Sequence, residues 1–304
     1  MLSVVVLTKN SERTIERCLK GLMESSIKPK TIIIVDGGST DRTLDIVRKY
    51  SSVLNIKVLQ DRGGGLAIAR DIGWRSTNTK YVAMIDSDVV VNRDFFNRAI
   101  ELLEKDSTLG AIGAKLKPIC EEKGILSKFQ EKNLAIHLHW NEPPYPSTVP
   151  AVHTACTVFR RKAIEEAGGF DPYFRLAKED SDISFKLRKR GYKLSYIDLF
   201  SLHMETGKRF WSINFRYGRS YPYISRKHPD ESKLWTKKNV ILTISFFIIP
   251  LQLIIFIHYL RRYYKLKDLR ISERILLAVV ETLRQYVRTA GMLYELIVKR
   301  EYKR

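Results

Sequence analysis

Cysteine is scarce: Cys18, Cys120 and Cys156 are the only three in 304 residues. Their number is odd and their spacing fits no metal site. They read as reduced thiols in a cytosolic setting, not as a disulfide framework. Acid is also in short supply. Asp and Glu total 33 against 53 Lys and Arg, a formal net charge of +20. That imbalance implies an anionic partner: nucleic acid, anionic lipid or a phosphorylated substrate. No signal peptide is expected, since the chain starts directly in "LSVVVLT" with no basic segment ahead of it. There is no internal repeat and no low-complexity tract. No G-x-G-x-x-G occurs in "DGGSTD" or "RGGG", which argues against a dinucleotide-binding dehydrogenase. Helix-turn-helix, RNA-recognition and zinc signatures are missing too, so a nucleic-acid-binding reading rests on charge alone.

What is present is core material. Hydrophobic residues make up 44% of the chain, which excludes bulk disorder. The length fits two domains, or one large domain with an appendage. Leu2–Leu7, Thr31–Val35, Asn55–Leu59 and Tyr81–Ile85 read as strands. Helices are expected from a cap at Asn10 or Ser11 to about Met23, then over Thr43–Tyr50, Ala67–Arg75 and Asp94–Leu103. Alternation of this kind predicts an α/β fold, its central sheet mostly parallel with helices on both faces. Beyond Leu116 the pattern loosens. Asn141–Pro150 is a proline-rich loop suited to a lid or an acceptor loop. A short helix ends at Gly168 and Gly169. "KEDSDISFKLRKRGYKL" reads as a helix with acids in its first turn, bases in its last and Gly191 as its stop.

Ligands of such sheets collect beyond the carboxyl ends of the strands. Three polar breaks follow strand ends here: Thr8–Asn10, Asp36–Asp41 and Asp86–Asp88. "YVAMIDSDVVV" places two carboxylates one residue apart at the end of an apolar strand. That suits a hard divalent cation, Mg or Mn. One carboxylate would bind the metal, the other would take a ribose hydroxyl or a metal-bound water, and substrate phosphates would fill further positions. A solvated turn is the plainer reading of D-x-D alone. Asp36 precedes two glycines that let a ligand approach the backbone, and its carboxylate can meet a base or a ribose. Ser39, Thr40 and Asp41 also serve as ordinary caps. Glu179, Asp180 and Asp182 taken alone read as first-turn helix acids.

Four stretches in order, "VVVLTKNSERTIERCLKGL", "IIIVDGGSTDRTLDIV", "GGGLAIARDIGWRSTNTKYVAMIDSDVVV" and "EDSDISFKLRKRGY", resemble the family 2 glycosyltransferases of the GT-A fold over about residues 1–205. The resemblance implies transfer of a sugar from a nucleotide-diphosphate donor to an acceptor hydroxyl, with inversion. It implies nucleotide-sugar contacts at Thr8, Asn10, Asp36, Arg70 and Asp86, and a metal at Asp88 completed by His203 of "SLHMETG". Glu179–Asp180 matches the acceptor motif, making Asp180 the general base. Asp71 stands where the family often has Asn, and Lys9 where it often has Tyr, which bears on the choice of donor.

Asn239–Leu260 is nearly all apolar, with Pro250 in its middle and bases at both ends. It suits a re-entrant hairpin, an interfacial pair of helices or a single span. A buried core segment is the plainer alternative. Ile275–Val298 has apolar residues at helical spacing, as a helix lying in a membrane plane would. Arg261–Arg304 holds 12 Lys or Arg against 5 Asp or Glu, and bases beside apolar segments attract anionic headgroups. The expectation is therefore a catalytic domain over 1–235 and a membrane-associated region of apolar or amphipathic helices over 236–304. The chain would work at the cytoplasmic face of the cell membrane on a lipid-linked or membrane-presented acceptor, a polyprenol-linked glycan, with no nucleic acid. Two alternatives are a polyprenyl-phosphate sugar synthase, which the presumed base argues against, and a basic scaffold without catalysis.

Overall fold

The computed structural model describes residues 2–137, 144–205, 207–233, 236–245, 248–267 and 269–299. In chain order the elements are β1 (Leu2–Thr8), α1 (Ile15–Glu24), β2 (Thr31–Asp36), α2 (Thr43–Tyr50), β3 (Ile56–Gln60), α3 (Leu66–Arg75), β4 (Tyr81–Asp86), β5 (Val89–Val90), α4 (Phe95–Lys105), β6 (Leu109–Cys120) and α5 (Ile125–His137). They continue with β7 (Cys156–Arg160), α6 (Arg161–Glu166), α7 (Glu179–Lys189), β8 (Lys193–Glu205), α8 (Phe210–Lys227), α9 (Lys237–Ser245), α10 (Ile249–Tyr264) and α11 (Ile271–Tyr294). Two compact units result. The first comprises Met1–Ile119, Asn133–Arg175 and Glu179–Glu205, and the second Cys120–Lys132, Leu176–Lys178 and Thr206–Arg304.

The first unit is built on one sheet of order β3-β2-β1-β4-β7-β6-β8-β5. The expected parallel core is β3-β2-β1-β4. Every residue of β1 is buried, because a central parallel strand is covered on both faces and must be apolar on both. At β7 the direction reverses: β7 runs antiparallel to β4 and to β6, and β5 runs antiparallel to β8. Ile15, Leu19 and Leu22 of α1 pack in the same core as Val4, Val6, Ile32 and Ile34. Cys18 and Cys156 are both buried as free thiols, and burial pushes both thiols up, Cys156 to about 12. They are core side chains and not nucleophiles. The described part of the proline-rich loop is tied to β8, where Tyr145 N donates to Tyr196 O at 2.8 Å and Val149 N to Leu194 O at 2.9 Å.

Helix α3 lies so close to β1 that a Cβ on Gly73 would overlap Val5 Cγ1. Val5 is fully buried and β-branched, so it has no free rotamer to retreat into. Overpacking costs about 1–3 kcal/mol, against a helical gain of about 1 kcal/mol for Gly to Ala. Gly73→Ala is expected to lower stability by up to about 2 kcal/mol net, read as a lower denaturant midpoint with an unchanged slope.

In the second unit the apolar stretch Asn239–Leu260 does not form one helix. Helix α9 ends at Ser245 and α10 starts at Ile249, with Pro250 in its first turn. A proline is tolerated there but clashes with the preceding turn inside a helix. Among the described residues no helix is long and apolar enough to cross a membrane. The C-terminal helices are not uniformly apolar either, since α11 buries Glu281, Arg284 and Gln285.

Candidate active site

The site starts from strand register. Thr8 of β1 stands beside Asp36 of β2, and Leu7 stands beside Asp86 of β4. Parallel pairing therefore brings three polar strand exits to one edge of the sheet, as the sequence predicts. The Thr8 hydroxyl is buried with no hydrogen-bond partner among the described residues. A hydroxyl at such a strand exit can bond a ligand or a water.

The exits of β1 and β2 are laced together. Asn10 has φ 51° and does not cap α1. Its Oδ1 instead accepts from Thr40 N at 2.8 Å, while Asn10 N donates to Ser39 Oγ at 2.9 Å. Helix α1 begins later than expected, at Ile15, after a turn in which Ser11 O accepts from Thr14 N and Ile15 N. Asp36 is fully buried. Its Oδ2 accepts from Gly38 N at 3.0 Å and Ser39 N at 2.9 Å, and Ser39 Oγ donates to Oδ1. Gly38 has φ 81°, a conformation glycine reaches without strain. The carboxylate that the sequence offers to a base or ribose thus also closes its own loop.

The D-x-D turn divides into three separate environments. Asp86 Oδ1 accepts from Arg70 Nη2 at 2.9 Å. Ser87 Oγ lies 2.9 Å from Ser11 Oγ, fastening the turn to the β1 exit. Asp88 meets strand β8. The short antiparallel pair sets Val89 opposite His203, and Met204 N donates to Asp88 O at 2.8 Å. That register places His203 Nε2 3.4 Å from Asp88 Oδ1. Asp88 Oδ1 is buried and accepts no hydrogen bond among the described residues. Residues 88 and 203 are remote in sequence, and the β5–β8 ladder brings them together.

Arg70 is the hub. It is 2% exposed, and besides Asp86 it donates through Nε to Glu179 Oε1 at 3.3 Å and through Nη1 toward Thr154 O at 3.5 Å. Burial alone would pull its guanidinium down, but the two carboxylates outweigh that and hold it above the usual range. Glu179 is the partner that sequence reasoning missed. It reads as a first-turn acid in the acceptor motif, yet it is buried and bonded to α3. Burial pushes its carboxyl up to about 7, opposed by Arg70 and reinforced by Asp180 and Asp86. The next residue, Asp180, is half-buried in the first turn of α7, and its Oδ1 accepts from Ser181 N at 2.6 Å. Asp86 and Asp180 are therefore linked through Arg70 and Glu179.

Among the described residues no group of three or more His, Cys, Asp or Glu stands close enough to hold a metal ion by itself. The β5–β8 register brings together the carboxylate of Asp88 and the imidazole of His203. Two protein ligands suffice where a diphosphate supplies the remaining positions.

Residues 3–168, more than half of the chain, match the family model described as glycosyl transferase family 2. The chain belongs to that family. The enzyme class expected from the sequence, a glycosyltransferase, is the class of the family. The chain is 27% identical over 218 residues to a poly-beta-1,6-N-acetyl-D-glucosamine synthase of Staphylococcus aureus, covering 69% of this chain and 52% of the relative. It is 27% identical over 238 residues to a pre-mycofactocin glycosyltransferase of Mycobacterium tuberculosis, covering 76% and 48% respectively. The chain thus spans about half the length of the curated relatives it matches. Its fold is similar to that of a mannosyltransferase from Pyrobaculum calidifontis solved with GDP-Man and Mn2+, with TM-score 0.66, 19% identity, and 98% of this chain and 87% of that one covered. It is also similar to S. aureus TarS residues 1–349 solved with UDP-GlcNAc, with TM-score 0.54, 18% identity, and 93% and 91% covered. The GT-A fold expected from the sequence is the fold observed.

Proposed function

We propose that the chain is an inverting, metal-dependent glycosyltransferase that moves a sugar from a nucleotide-diphosphate donor to an acceptor hydroxyl presented at a membrane. A polyprenol-linked glycan is the acceptor class, and the cytoplasmic face of the membrane is the place of work. The observation that carries this is the register that gathers Thr8, Asp36 and Asp86 at one sheet edge, with Asp88 set against His203 beside it. The nucleotides in the similar solved structures, GDP-Man and UDP-GlcNAc, support the donor class. The functional division at residue 235, a catalytic part followed by a membrane-associated part, belongs to the same proposal.

In this reading Thr8, Asn10 and the Asp36 loop receive the nucleoside. Arg70 holds Asp86 in place for the donor. Asp88 and His203 would hold Mg or Mn, which neutralises the diphosphate leaving group when bound. The orphaned Asp88 oxygen and the adjacent imidazole fit such an ion. Asp180 takes the proton of the acceptor hydroxyl as that oxygen attacks the anomeric carbon.

The test is calorimetric titration of the protein with UDP-, GDP- and dTDP-sugars, with and without manganese. One donor is expected to bind, about tenfold or more tightly with the metal. Asp88→Ala should bind that donor equally with and without manganese. Unchanged metal dependence in Asp88→Ala removes Asp88 from the metal. A folded protein that binds no sugar nucleotide overturns the reading as a whole.

A further inference from the structure

Helix α11 buries Leu277, Ala278, Val280 and Met292, yet it also buries a polar cluster and leaves a second aliphatic stripe exposed. Helices of a water-soluble unit turn polar residues outward and bury an apolar stripe. Here Glu281, Arg284 and Gln285 are buried, at 0%, 7% and 6% exposure. They satisfy one another: Arg284 Nη2 donates to Glu281 Oε1 at 2.7 Å, Arg284 Nε to Oε2 at 3.1 Å, and Gln285 Nε2 to Oε1. The exposed stripe is Ile275, Leu276, Val279 and Leu283, spaced one helical face apart. Burying a charged pair while leaving four large aliphatic side chains outside is unfavourable in water on both counts. It is the arrangement expected where the surroundings of the helix are hydrocarbon.

The neighbouring helices of the same unit repeat the pattern. Helix α10 exposes Leu253, Ile254 and Ile257, the first two at 59% and 60%. Helix α9 exposes Ile241 and Ile244. The last turn of α10 carries exposed Arg261, and the turn between α10 and α11 carries exposed Lys265, Lys267 and Arg270. Aliphatic faces edged by bases match the boundary between acyl chains and anionic headgroups.

We infer that α9, α10 and α11 dock the second unit onto an anionic lipid bilayer through these aliphatic faces, lying in the plane of the interface. Helix length excludes a span by α9 or α10, which have 9 and 16 residues, against the roughly 20 a bilayer core requires. Helix α11 has 24 residues but is not apolar enough to cross a membrane. A second copy of the chain is a weaker occupant, because it offers the same bases and no compensating acid. This deepens the membrane part of the proposed function, and rests on that reading for its purpose but not for its test.

The test is flotation of the full chain with vesicles, without any sugar nucleotide. The wild-type chain is expected to float with vesicles of equal parts phosphatidylcholine and phosphatidylglycerol, and less with phosphatidylcholine alone. Leu253→Asp/Ile254→Asp and Leu276→Asp/Leu283→Asp should each lose roughly tenfold or more in bound fraction at unchanged melting temperature. Arg261→Glu/Lys265→Glu, which leaves the aliphatic faces intact, should abolish the preference for anionic vesicles. Apolar-face variants that float like wild type overturn the inference. So does a wild-type chain that stays in solution as a dimer, with the same substitutions making it monomeric, because the face is then covered by a second copy. Release only by detergent, with α10 protected from protease on sealed vesicles, would also overturn it in favour of insertion across the bilayer. Flotation without any donor binding in the calorimetric assay would leave this inference standing and sink the enzymatic reading.

Discussion

Asp180→Asn is expected to lower kcat by about 10²–10⁴ while donor affinity stays within about twofold, the loss typical of removing a general base. The substitution is close to isosteric, and an amide oxygen still accepts from Ser181 N, the bond that fixes the first turn of α7 in the wild type. Glu179, its neighbour, keeps its contact with Arg70. Fold and donor site are therefore left in place, and what disappears is the capacity to take a proton. The measurement is single-turnover transfer with saturating donor, alongside calorimetric donor affinity. The result also separates two acceptor chemistries. A hydroxyl must lose its proton as it attacks, so its transfer collapses with the base. A lipid phosphate is already an anion, and its transfer would proceed in Asp180→Asn at close to the wild-type rate. Full retention of rate would thus remove Asp180 as base and move weight to a phosphate acceptor.

The parallel half of the fold is legible because its signals are local. β1, β2 and β4 are unbroken apolar runs, each ending in a polar turn, and register then does the rest by setting Thr8 beside Asp36 and Leu7 beside Asp86. The other half is less legible. β6 and β8 run for 12 and 13 residues, but Lys115, Lys193, Ser195 and Asp198 interrupt their apolar pattern. Lys115 is tolerated inside because it reaches Asp198 Oδ1 at 2.8 Å, a partner that a pattern of hydrophobicity cannot supply. The same holds within the site. His203 is one histidine in a strand until the β5–β8 ladder sets it against Asp88. Glu179 looks like a helix-start acid until α3 delivers Arg70 to it. Asn10 looks like a helix cap until the β2 loop claims its side chain. In each case the missing information is a contact between residues far apart in sequence. In the C-terminal region the proline is itself the legible signal: the apolar stretch Asn239–Leu260 forms two helices, α9 and α10, with Pro250 in the first turn of the second.

Arg70→Leu is expected to destabilise the first unit by about 3–5 kcal/mol at pH 8, the usual penalty for removing one partner from a buried ion pair. The penalty should fall unequally on the two carboxylates. Asp86 has a side chain one-third exposed, so water can replace part of what Arg70 gives it. Glu179 is 6% exposed in its side chain, and water has little access to replace what Arg70 gives it, although Thr154 Oγ1 donates to its Oε1 at 3.4 Å. The pH dependence follows from the direction of its shift. Burial pushes its carboxyl up to about 7 in the folded chain, from an ordinary 4.5. Between those values the folded state holds a proton that the unfolded state has released. Wild-type stability therefore declines as pH rises from about 4.5 to about 7 and levels off above. Without Arg70 the carboxyl moves higher still, so the decline continues past pH 7. The difference between wild type and Arg70→Leu should thus be smaller at pH 5.5, where Glu179 is protonated in both, and grow above pH 7 by at most about 1.4 kcal/mol per pH unit. Glu179→Gln should flatten the wild-type decline. Adding Glu179→Leu to Arg70→Leu should return much of the lost stability at pH 8, because an apolar pair of similar size needs no compensation. Denaturant midpoints of the four chains across that pH range measure all of this. A destabilisation by Arg70→Leu that is the same at pH 5.5 and 8.5, and is not relieved by the second substitution, would show that Arg70 acts through packing of its stem and not through the charge of Glu179.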